Sequence, residues 1–137
     1  MQTSKEILSD KNLRITNARI KILDYFKNSN KAFSHTDLEK LFSQEMDRVS
    51  IYRILHAFVE KDILCKIIDS NATVLYSYAG HQHKSHDHPH FKCNECDNIQ
   101  HLPALPKQYL EQLHKNKVTN LQLTVEGTCD QCLNKNE

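Results

Sequence analysis

Residues 47–78 read DRVSIYRILHAFVEKDILCKIIDSNATVLYSY, a helical pattern that gives way to a strand pattern. Ile51, Leu55, Phe58 and Val59 recur at helical spacing and cluster within about 100 degrees of arc. Ser50, Arg53, His56 and Ala57 fall on the opposite side and Tyr52 on the flank, with Asp47 placed to cap a helix over 48–61. LCKII and TVLYSY are short β-branched and aromatic runs around Asp69-Ser70-Asn71-Ala72, the pattern of a β-hairpin. Two further helices are predicted upstream. Thr16 or Asn17 can cap the first, which carries Ile22, Leu23 and Phe26 on one face. Ser34 followed by Asp37 resembles a capping box with a shorter acid, opening the second through Leu38, Leu41 and Phe42. Three helices followed by a hairpin is the order of a winged helix-turn-helix.

After Tyr78 the composition changes abruptly. AGHQHKSHDHPH at 79–90 is polar and dense in histidine, as expected of a hinge or a metal loop. Beyond it HFKC and NIQHL read as strands, LPKQYLEQLHK as a helix after Pro106, and VTNLQLTVEG as a strand alternating Val118, Leu121, Leu123 and Val125. The expected fold class is therefore α+β: a winged helix-turn-helix over 1–79, a His-rich hinge and metal loop over 80–91, and a small α/β unit over 92–137. That last unit is too small to be comfortable on its own core.

The chain has 137 residues, 39% hydrophobic and 26% charged, which suits a globular protein rather than a disordered one. Apolar runs of only a few residues exclude a membrane span. The opening MQTSKEILSD lacks the layout of a secretory signal, so a cytoplasmic protein is expected. A formal charge of +1 gives no global basic excess, but 11–31 holds Lys11, Arg14, Arg19, Lys21, Lys27 and Lys31 against Asp24 alone. This stretch is either an electrostatic footprint for nucleic acid or a solvated helix face.

Cys93-Asn94-Glu95-Cys96 and Cys129-Asp130-Gln131-Cys132 form two C-x-x-C pairs. Each pair can present two thiolates from one tight turn, and two such turns complete a tetrahedral Zn²⁺ site. With four protein ligands no coordination position stays open, so the role is structural. The pairs also tie the start of the C-terminal unit to its end. Cys65 stands apart in a strand-like run and reads as a small buried residue. His81, His83, His86, His88 and His90 occupy ten residues, and His101 follows. His88 and His90 are spaced to share one face of an extended segment, which suits a second, specific metal site. His81, His83 and His86 fit such a site or a merely solvated loop.

LRITNARIKIL at 13–23, RVSIYRIL at 48–55, HPHFKCNEC at 88–96 and the closing CDQC together resemble the ferric uptake regulator (Fur) family of metal-dependent transcriptional repressors. The resemblance covers nearly the whole length. It implies a winged helix, a hinge, and a C-terminal domain that forms a homodimer on a double-stranded DNA operator. Ser50, Tyr52 and Arg53 then fall where the family's recognition helix meets the major groove. Arg14 and Arg19 match positions that approach the DNA backbone or minor groove. Tyr52 offers an edge for thymine methyls and Arg53 a fork for phosphate or guanine.

His88 and His90 match two ligands of the family's regulatory metal site, while His101 stands where a carboxylate is usual. The family histidine before the second helix corresponds to Ala32, with His35 three residues on. The usual upstream carboxylate falls near Tyr76 or Ser77, leaving its place to another histidine such as His86 or to Asp87. A further site of many relatives is lost, its positions reading Asp87, Pro89 and Leu121. Imidazole in place of carboxylate turns the site from Mn²⁺ toward Zn²⁺ or Fe²⁺. The expectation is a repressor of metal homeostasis genes with structural zinc and a second, regulatory Zn²⁺ or Fe²⁺. The alternatives are a peroxide-sensing repressor of the same family and a metal buffer that does not bind DNA. An enzyme is not expected. There is no H-x-E with P-C-x-x-C, no H-E-x-x-H and no Gly-rich phosphate loop.

Overall fold

The computed structural model describes residues 2–80 and 88–135. The helices begin where short polar side chains satisfy the first free N–H groups. Helix α1 (Ser4–Asp10) opens on a full capping box between Thr3 and Glu6. Helix α2 (Asn17–Lys27) is capped by Thr16, whose hydroxyl accepts from Arg19 N. After strand β1 (Phe33–Ser34), Ser34 and Asp37 form the capping box of α3 (His35–Phe42), and Asp47 accepts from Ser50 N at 2.7 Å to start α4 (Arg48–Glu60). Sequence reading missed α1. Its Thr3-x-x-Glu6 signature is plain, but seven residues hold too few apolar positions to display a period.

Strands β2 (Leu64–Ile68) and β3 (Val74–Tyr78) pair antiparallel across the expected turn, where Asp69 Oδ1 accepts from Asn71 N and Thr73 N. Strand β1 adds to the free edge of β3, giving the order β1-β3-β2. This sheet is buried on both sides. One face puts Leu64, Tyr76 and Tyr78 against the helices, in a core built on Leu8, Ile22, Leu23, Phe26, Leu38, Ile51, Leu55 and Phe58. The other face carries Cys65, Ile67, Leu75 and Ser77. Ile67 and Leu75 pack there with Ala32 and with Ile99 of the second sheet.

That second sheet holds β4 (His90–Cys93), β5 (Ile99–His101) and β6 (Thr124–Gly127) in the order β5-β4-β6, with β4 and β6 parallel. Between β5 and β6 runs α5 (Lys107–Leu113), and α6 (Asp130–Lys135) closes the described chain. Helix α5 starts after Pro106 as predicted and ends at Leu113, two residues short of the predicted end. The predicted strand over 118–127 shrinks to four residues. Its apolar alternation is present, but only 124–127 finds a ladder partner, and a strand needs one to persist. The architecture is thus a winged helix-turn-helix followed by a small α/β unit, and no described helix is long and apolar enough to cross a membrane.

Leu55 is fully buried in the main core. Leu55→Ala should therefore cost about 2–5 kcal/mol, read as a lower urea midpoint at unchanged slope.

Candidate metal centre and nucleic-acid interface

The four cysteines of the two C-x-x-C pairs converge, although 32 residues separate the pairs. Cys93 ends β4, and the turn after it returns Cys96. Parallel pairing of β6 with β4 delivers Cys129 and Cys132 to the same end of the sheet. Sγ of Cys93 lies 3.8 Å from Sγ of Cys132, and Sγ of Cys96 lies 3.8 Å from that of Cys129. A disulfide would require about 2.05 Å, so these are not oxidised pairs. Four sulfurs placed about 2.3 Å from a zinc ion form a tetrahedron with edges of about 3.8 Å. The quartet fits structural zinc on geometry alone. Backbone N–H groups of Cys129, Cys96 and Glu95 donate to Cys93 Sγ and bring its thiol down to about 6, favouring the thiolate.

A second cluster lies where the two sheets face each other. His90 on β4 and His101 on β5 are direct cross-strand partners, with ring centroids 4.9 Å apart in an edge-to-face arrangement. Cys65 of the wing reaches the same point. The Sγ of Cys65 and one ring nitrogen from each histidine lie within 4.8 Å of one another. Burial, with the nearby Asp62 carboxylate, pushes the Cys65 thiol up to about 11. Burial also lowers His101, and the neighbouring His88 adds to that. His88 shares with Cys65, His90 and His114 the lining of a cavity of about 570 Å³ between the wing and residues 114–124.

Sequence reading placed His88, His90, His101, His35 and His86 in one site. The structure gathers His90 and His101 tightly and sets His88 on the adjoining cavity. His35 is not brought to this cluster. It opens α3, with Nδ1 3.4 Å from Glu39 and Nε2 3.2 Å from the Arg48 carbonyl oxygen. Glu39 also pairs with Arg48 at 2.9 Å, so His35 belongs to a polar network joining α3 to α4. His86 lies outside the described residues. Cys65 was missed as a partner of the histidines. The only signal was a cysteine at a buried strand position, and nothing local says what faces it.

Helix α4 presents Ser50, Tyr52 and Arg53 to solvent, with Tyr52 57% exposed rather than packed. Tyr52 stacks on His56, rings nearly parallel at 6.2 Å, and meets His35 edge-on. Val49 is also largely exposed, so 49, 52, 53 and 56 form one outward stripe that sequence reading only partly drew. The Ser50 hydrogen bonds, with help from Arg53, hold the Asp47 carboxyl below its usual range. Arg19 donates to the Arg14 carbonyl oxygen at 2.6 Å, fixing the approach to α2.

Fold and sites define a winged-helix protein whose second unit is clasped by a four-cysteine metal centre. Residues 10–127 match the Ferric uptake regulator family, and the chain belongs to that family, whose members are transcription regulators and not enzymes. The peroxide operon regulator of Bacillus subtilis is 26% identical, covering 98% of this chain and 94% of its own length. The ferric uptake regulation protein of Yersinia pestis is 23% identical, over 95% and 90% respectively. Among solved structures, a zinc uptake regulator complexed with zinc and DNA superposes with a TM-score of 0.78 at 18% identity, covering 96% of this chain and 91% of that one.

Cys129→Ser should remove about one zinc per chain by elemental analysis, because three thiolates do not close a structural site. Far-UV circular dichroism should retain the helical signal of the winged unit while the C-terminal unit loses protease resistance. Zinc retained at wild-type stoichiometry would refute the assignment.

Proposed function

We propose that this chain is a homodimeric, metal-responsive repressor of metal homeostasis genes whose binding to double-stranded operator DNA is promoted by a regulatory Zn²⁺ or Fe²⁺. The observation that carries the reading is the meeting of Cys65 on the wing with His90 and His101 on the second sheet. The division expected from sequence goes with it: 1–79 meets DNA, 80–91 is the hinge, and 92–137 makes the dimer.

In this reading the α4 stripe enters the major groove, with Tyr52 against thymine methyls and Arg53 on phosphate or guanine. Arg14 and Arg19 meet the backbone, and Ser50 holds the helix start. A dimer doubles these contacts and matches a palindromic site, which lets a nearly neutral chain bind DNA. A bound ion supplies a tie between ligands on different strands. Side chains from the wing and from the second sheet come within ligand distance of each other only when the two sheets are face to face. Their coordination therefore favours that arrangement over any other, by its difference in affinity alone.

The similarity to the peroxide operon regulator keeps peroxide sensing as a second reading. Against it, His101 stands where the family's carboxylate is usual, and among the described residues no carboxylate oxygen lies within 4.8 Å of all three of the Cys65, His90 and His101 ligand atoms. A metal buffer would have no use for the exposed Tyr52–Arg53 stripe.

Three variants test the proposal by fluorescence anisotropy on candidate promoter DNA, after chelation and addition of each metal separately. His90→Ala should keep its fold and its quartet zinc yet lose the metal-dependent gain in affinity, a coupling of about 5- to 150-fold in such systems. An unchanged metal requirement in that variant would sink the site assignment. Arg53→Ala should weaken binding by about 1–3 kcal/mol. Arg14→Ala should flatten the salt dependence by about one phosphate contact.

A further inference from the structure

We propose that Cys65 is a ligand of the regulatory ion and that its thiolate makes the site selective for Zn²⁺ over Fe²⁺ and Mn²⁺. This rests on the reading of His90 and His101 as the regulatory site and names the chemistry of that site.

Alternation along β2 and its pairing with β3 put Cys65, Ile67, Leu75 and Ser77 on one face. Ile67 and Leu75 do there what buried aliphatic residues do, closing on Ala32 and Ile99. Cys65 and Ser77, opposite each other in the ladder, do something else. Each is buried, at 7% and 3% exposure, and the Cys65 sulfur comes within 4.8 Å of a ring nitrogen of both His90 and His101. The Ser77 hydroxyl finds no hydrogen-bond partner among the described residues. It lines a crevice of about 210 Å³ together with His101 and Ile99. A cysteine used only as a small apolar filler would sit among the aliphatic side chains one pair further along. Placed where it is, it completes a polar pocket.

The geometry suits a four-coordinate ion. Zinc with nitrogen ligands at about 2.0–2.1 Å and sulfur at about 2.3 Å needs ligand-to-ligand edges of about 3.3–3.6 Å. The three atoms lie within 4.8 Å of one another, so a shift of about one ångström or a little more in each pair closes the set. His101 lies toward solvent, which gives an ion a way in. His88, on the cavity that Cys65 and His90 also line, stands ready as the fourth ligand. On binding, the Cys65 thiol gives its proton to solvent as the sulfur–metal bond forms.

The donor set decides selectivity. Hard, oxygen-preferring Mn²⁺ gains least from a thiolate and two or three imidazoles, and octahedral Fe²⁺ loses ligands in a four-coordinate pocket. Zn²⁺ accepts sulfur and nitrogen in a tetrahedron without penalty. Because the thiolate comes from the wing and the imidazoles from the second sheet, the sulfur is the atom that ties the DNA-binding unit down.

Co²⁺ titration of the full chain, with the quartet still holding its zinc, tests this directly. Wild-type protein should bind about one Co²⁺ per chain with tetrahedral d–d bands and a near-ultraviolet sulfur-to-cobalt charge-transfer band. Cys65→Ser should still bind Co²⁺ but lose the charge-transfer band. Its Zn²⁺ affinity should fall by about a hundredfold or more, since even partners beyond the ligands are worth about 10–100-fold, while Mn²⁺ affinity changes little. Cys65→Ala, checked by circular dichroism, guards against a serine that itself ligates or a variant that misfolds. A charge-transfer band undiminished in either folded variant, or Co²⁺ bound to the wild type without one, overturns the proposal. Parallel anisotropy separates the two readings. A thiolate band with metal-indifferent DNA binding keeps the ligand and removes the regulatory role; metal-gated binding without the band does the reverse.

Discussion

Four sulfur atoms hold the C-terminal third of the chain in shape. Outside that quartet, Ile99 is the one buried hydrophobic side chain among the described residues after 91, and α5 has no fully buried residue. A unit this poor in core cannot offset the entropy of ordering its chain by apolar burial alone. Coordination of Cys93, Cys96, Cys129 and Cys132 supplies what the core lacks, since metal bound only by the folded form stabilises that form. The consequence reaches beyond stability. Cys93 ends the strand that begins at His90, so the clasp that holds β4 against β6 also sets the position of a residue in the second cluster.

The wing is the other half of the arrangement. In many proteins a three-stranded sheet of this size would turn one face to water, but here both faces are covered. The helices cover one, and Ile99 with the two histidines covers the other. Apolar contact between Ile67, Leu75, Ala32 and Ile99 brings the sheets together, and hydrogen bonds reinforce the seam. Ile99 N donates to Asn30 O at 2.8 Å, and Ser70 N donates to Glu126 at 3.2 Å. Non-directional burial sets the approach of the two units, and the polar cluster beside it gives that approach chemical meaning.

Electrostatics at the opposite end of the winged unit is local rather than global. Lys21 pairs with Glu45 at 3.0 Å with both side chains about half exposed, a contact of little energetic weight. The His35–Glu39–Arg48 network behaves differently. It links the first turns of α3 and α4, and Tyr52 stands edge-on to His35, so this histidine belongs to the α3–α4 surface and not to the Cys65–His90–His101 cluster.

Much of this was legible in the sequence because it depends on neighbours along the chain. Capping residues Thr16, Ser34 and Asp47, the apolar stripe of α4, the Asp69–Ala72 turn and the C-x-x-C pairs are short-range patterns set by hydrogen-bond geometry and side-chain period. His90 and His101 were joined in one site through the family resemblance, and the β4–β5 register sets them opposite each other. What tertiary structure alone decided is what faces what. The apolar alternation from 118 looked like a strand, yet only 124–127 had an edge to pair with. His35 stands three residues past the position of the family's ligand and went to Glu39, because α3 carries it toward α4. Cys65 looked like a filler and came to stand against two imidazoles, because the outer face of the wing packs on a sheet encoded more than twenty residues later. Periodicity records which side of an element is buried; it holds no record of the surface that buries it.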